Sequence, residues 1–134
     1  MVNPRKAYPV DPGFIPIFDR SGRANVGHSL ETAILLELER RGFAVTYVRT
    51  TGGREVDFLA RSPDGGQELI QVCADPADAG TLDRELRGLA EAGETYPRSV
   101  RRLLTLTGAP VRGEVPAGVV VQPAYEWLLE GPGR

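Results

Sequence analysis

Leu30, Ile34 and Leu38 recur at the spacing of one helix face, which predicts a helix from Val26 to Arg41. Asn25 is its candidate N-cap, and Gly42 stands where a helix end favours glycine. The period then changes. Phe43–Thr50 is rich in β-branched and aromatic residues, and Arg54–Ala60 alternates Glu55, Asp57 and Leu59 against Val56, Phe58 and Ala60. Glu68–Ala74 reads as the next strand. The turn signals Thr51-Gly52-Gly53 and Ser62-Pro63-Asp64-Gly65-Gly66 separate the three, so 54–74 reads as a β-hairpin.

Leu82, Leu86, Leu89 and Ala90 form the apolar stripe of a second helix, about Thr81 to Ala92. Asp83–Arg87 and Arg87–Glu91 are i,i+4 pairs on its solvent side. Two further strands are predicted over Arg101–Thr107 and Gly118–Gln122. Pro123 then opens a short helical segment in which Trp127, Leu128 and Leu129 cap the core. Upstream, Lys6–Asp11 reads as a short strand ahead of a Pro12-Gly13 turn, and Asp19–Ala24 as a loop. Together these give one α/β domain over residues 1–134, a mixed central sheet flanked by helices. Its αβββαβ core spans 26–107, with an added strand at 6–11 and a strand and helix at 118–129.

Composition adjusts this picture little. The 134 residues are 41% hydrophobic and 25% charged, ordinary values for a globular chain. A net charge of -2 offers no general attraction to phosphate backbones, so nucleic-acid binding, if present, is expected to be weak. Cys73 is the one cysteine and His28 the one histidine, which excludes an intrachain disulfide and a Cys/His zinc site. No secretory or membrane-spanning apolar run is evident, so a cytoplasmic location is expected, with no membrane partner.

The candidate chemistry lies in four residues. Glu31 projects between Leu38 and Leu35 on the first helix, with no basic side chain three or four residues away except His28. A turn centred on Asp64 sets Asp57 opposite Gln71 and Glu55 opposite Cys73, all on one strand face. If the first helix covers that face, Glu31 and Asp57 converge on a site suited to a hard cation such as Mg²⁺. For Asp57 the alternative is a carboxylate satisfied by backbone or by Arg54. For Cys73 the alternative to a reactive thiol is a small buried hydrophobe. Arg98, Arg101 and Arg102 read as a solvated strand entry or a nucleic-acid contact. Gly52-Gly53-Arg54 lacks the Gly-Lys-Ser/Thr continuation of a phosphate loop, so no ATP site is expected.

Several segments recur here in one order: Asn3-Pro-Arg-Lys6, Gly27-x-x-Leu30-Glu31, Gly53-Arg-Glu-Val-Asp-Phe58, Leu69-Ile-Gln-Val-Cys73, Arg84-Glu-Leu86 and Pro123…Trp127-Leu-Leu129. Over nearly the whole chain they resemble the domain of unknown function 4143, the C-terminal module of prokaryotic AAA-type ATPases. That family looks like part of the PD-(D/E)XK nuclease-like (restriction-endonuclease-like) superfamily. The resemblance implies that Glu31 matches the helix acid and Asp57 the metal-binding aspartate. Gln71 then stands in place of the second acid and Cys73 in place of the lysine. Lys6 is the only lysine, so the core offers no substitute ammonium. The implied function is a non-catalytic accessory or recognition domain with a degenerate nuclease-like site and no cofactor. The alternatives are a divergent Mg²⁺- or Mn²⁺-dependent nuclease acting on DNA, with Glu31 and Asp57 as metal ligands, and an interaction module binding a partner ATPase in trans.

Overall fold

The computed structural model describes residues 2–4, 23–106, 108, 111 and 114–130. The strand expected over 6–11 lies outside these. A strand forms instead at Val2–Pro4 (β1), a stretch whose polar neighbours give little strand signal.

Helix α1 runs Arg23–Arg40. It begins before Asn25, which therefore lies inside the helix rather than capping it. Arg23 and Ala24 are good helix formers, which extends the helix into the stretch expected to be a loop. Its C-terminal end follows the sequence closely. Gly42, at φ +86°, donates its N–H to the Glu39 carbonyl (3.0 Å), and Phe43 donates to the Leu38 carbonyl (3.0 Å). This paired closure needs a left-handed residue, hence the glycine.

Strands β2 (Ala44–Arg49), β3 (Glu55–Arg61) and β4 (Gln67–Cys73) follow. Helix α2 (Ala79–Thr95) starts earlier than its apolar stripe, because Asp78 accepts from the Gly80 and Thr81 N–H groups as N-cap. Strands β5 (Val100–Thr105) and β6 (Val119–Pro123) and helix α3 (Ala124–Glu130) complete the order. The six described strands lie in sequence order in one sheet. Pairing is antiparallel from β1 to β4 and parallel from β4 to β6, so the α/β class and mixed sheet are as expected.

The sheet buries both faces. Leu30, Ile34, Leu35 and Leu38 of α1, with Ala124 and Trp127 of α3, pack on Phe58, Ala60, Ile70, Val72 and Leu104. Leu82, Leu86, Leu89 and Ala92 of α2 pack on the opposite face, against Val56, Leu59, Leu69, Cys73 and Leu103. The short C-terminal helix divides as its pattern demands. Trp127 is buried under the Arg41 guanidinium, 4.2 Å from the ring centre, whereas Leu129 is 83% exposed and caps nothing.

One irregularity positions the site. Thr46 pairs with Leu59 but Val48 with Val56, so Asp57 and Phe58 together face the single residue Tyr47. This bulge resets the phase of β3. Val56 and Leu59 consequently share the α2 face, where strict alternation would have separated them.

Candidate functional site

The hairpin register carries Phe58↔Ile70 through Arg61↔Gln67 and stops there, one step short of Asp57 and Gln71. At that step side chains take over from the ladder. The Asp57 N–H donates to Gln71 Oε1 (2.8 Å), and the Val72 N–H donates to Asp57 Oδ2 (2.8 Å). Gln71 Nε2 donates in turn to the Glu55 carbonyl (3.0 Å) and to the Glu85 carbonyl of α2 (3.4 Å). The amide is 1% exposed and its orientation follows from its partners, since an N–H faces its oxygen and carbonyls face its nitrogen.

Helix α2 comes close enough for this because residue 88 is glycine. A Cβ there would sit 3.1 Å from both Gln71 Nε2 and the Glu55 carbonyl. A glycine inside a helix costs up to about 1 kcal/mol relative to alanine, so its presence marks a packing requirement.

Around this knot lies an open cleft of about 520 Å³, lined by Gly52, Gly53, Arg54, Glu55, Asp57, Gln71, Arg84 and Glu85. Its lip, the turn from β2 to β3, is tied to α2 through Glu91. That carboxylate accepts from Thr50 Oγ1 (2.7 Å) and Arg54 Nε (2.6 Å), while Thr50 Oγ1 accepts from the Arg54 N–H (3.0 Å). The Thr50 hydroxyl, then Arg54, hold the Glu91 carboxyl below its ordinary pKa. Glu91 is therefore engaged here rather than with Arg87, which pairs with Asp83 (2.9 Å). Sequence spacing showed the helix-internal options for Glu91 but not this cross-element one.

The structure thus brings Asp57 and Gln71 together at the floor of the cleft. Cys73 is 2% exposed among the leucines under α2, and burial pushes its thiol pKa up, the setting of an unreactive apolar filler. Glu55 lines the cleft and is ion-paired to Arg49 (3.1 Å). Glu31 does not line it. Helix α1 covers the face of Ile70 and Val72, the reverse of the face to which Gln71 and Cys73 turn. The half-buried Glu31 lies one turn beyond Gly27, where a Cβ would approach Ala74 to 3.7 Å.

The resemblance raises Mg²⁺ or Mn²⁺ as a bound group, and the donors argue against a fit. Such ions need several oxygens converging on one point. Gln71 Oε1 and Asp57 Oδ2 already accept main-chain N–H groups. Among the described residues no three His, Cys, Asp or Glu side chains are grouped to hold a metal ion. No helix among the described residues is long and apolar enough to cross a membrane. Comparison with family models, with curated proteins and with solved structures yields no match to this chain.

Proposed function

We propose that this chain is a non-catalytic recognition domain, resembling the C-terminal module of AAA-type ATPases, in which a nuclease-like site has become a structural joint. One observation carries the reading. Gln71, at the position the resemblance gives to the second acid, donates to two main-chain carbonyls and accepts from the Asp57 N–H. A carboxylate can make only the last of these bonds and repels the other two partners. The amide is thus built into the backbone connection, and it offers a neutral oxygen where metal-dependent cleavage calls for a second acid. The buried Cys73, in the lysine position, supplies no cation. What remains is the polar cleft above the joint, whose walls present Arg54 and Arg84.

The test is incubation of the purified chain with single- and double-stranded DNA in Mg²⁺ or Mn²⁺. No cleavage above background is expected. Cleavage that Asp57→Ala abolishes overturns the reading in favour of a divergent nuclease.

A further inference from the structure

Resting on that recognition reading, we propose that Arg54 and Arg84 form a binding site for a single oxyanion, a carboxylate or phosphate group carried on a protein segment. Both arginines line the same cleft. Arg54 is pre-positioned, since Glu91 holds its Nε at 2.6 Å. That bond uses one of the five N–H donors of a guanidinium. Its two terminal nitrogens make no hydrogen bond among the described residues. Arg84 makes neither hydrogen bond nor ion pair among the described residues, unlike its neighbour Arg87, which is tied to Asp83. Two guanidinium groups with open donors match the planar, multiply accepting geometry of an oxyanion.

The lip completes the site. Gly53, at φ +82°, occupies a conformation side chains disfavour, and a Cβ there meets nothing within 4 Å, so a ligand approaches bare backbone. Glu55, Asp57 and Glu85 line the same cleft and limit what enters. A nucleic-acid strand carries a phosphate at every step and meets those carboxylates repeatedly, whereas one isolated anionic group brings a single charge among them. The net charge of -2 favours the same choice.

The experiment is an amide NMR titration of the full chain in EDTA, first with inorganic phosphate, then with a phosphoserine peptide and an oligothymidylate at matched ionic strength. Saturable shifts at Gly52, Gly53, Arg54 and Arg84 are expected with phosphate and peptide, the oligonucleotide producing none. Arg54→Gln and Arg84→Gln each weaken binding about tenfold, the effect of one charged hydrogen-bond donor. Arg84 is an exposed residue of α2, so its variant retains the wild-type melting temperature and amide spectrum. Absence of saturation, or affinity unchanged in either variant, overturns the site. Arginine-dependent binding of the oligonucleotide but not the peptide overturns the assignment to a protein segment. No divalent ion is present, so this titration can fail while the cleavage result stands, and the reverse.

Discussion

Asp57 and Gln71 hold β3 to β4 through their side chains, each bonded at 2.8 Å to a main-chain N–H of the other strand. The β3–β4 ladder ends at Phe58↔Ile70, and the backbone groups just beyond it need partners once they are out of water. The two polar side chains supply them.

Gln71→Glu tests this most simply. At neutral pH a carboxylate placed 1% exposed against two carbonyl oxygens is expected to cost about 3 kcal/mol. Its folded-state pKa is raised, so the protonated form is tolerated and the deficit shrinks as pH falls. Urea denaturation at pH 7 and pH 5 measures both.

Removing the other half leaves the Val72 N–H without an acceptor. Asp57→Ala is expected to destabilise by about 2 kcal/mol, the usual cost of orphaning such a group. Asp57→Asn retains a side-chain oxygen for that N–H and is expected to lose less. The same denaturation experiment ranks the two.

Gly88→Ala separates packing from helix propensity. Alanine is the better helix former by about 1 kcal/mol, but its Cβ arrives 3.1 Å from Gln71 Nε2 and the Glu55 carbonyl. Neither is the free end of a flexible chain, so a net loss of about 1–3 kcal/mol is expected on thermal unfolding.

The acid limb of the stability curve has an identified contributor in Glu37. Hydrogen bonds from Arg40 and then Arg41 hold its pKa at about 2, against an ordinary 4.5. A lowered folded-state pKa gives stability that is present above 4.5 and lost as pH falls toward about 2. Glu37→Gln is expected to flatten the loss over that window, read as melting temperature against pH.

Cys73 is expected to resist a thiol reagent in the native state and to react once the chain unfolds in urea. It is the only cysteine, so the absorbance change has one source.

Much of the fold was legible because its signals are local. The α1 stripe, the Gly42 end, the Gly52-Gly53 and Asp64-Gly65 turns and the hairpin register all follow from short-range chemistry. Pairing of Asp57 with Gln71 was visible for the same reason: a turn centred on Asp64 fixes it. What escaped depends on distant contacts. The bulge opposite Tyr47 has no marker such as a glycine in β3, and it moved Val56 onto the α2 face. The side of the sheet that α1 covers is a choice between two apolar faces, and helical periodicity shows only that Leu30, Ile34 and Leu38 bury together. Convergence of Glu31 with the hairpin acids requires the other of the two faces. The anchoring of the lip by Glu91 joins residues about forty apart and had no sequence signature at all.

A Mn²⁺ titration followed by paramagnetic broadening of the amide spectrum tests the structural joint directly. With Asp57 Oδ2 and Gln71 Oε1 each accepting a backbone N–H, the account predicts that the Asp57, Gln71 and Val72 signals broaden no more than those of exposed surface acids. Selective broadening of these three at low metal, shared by Glu31 and removed by Asp57→Ala, would contradict the account.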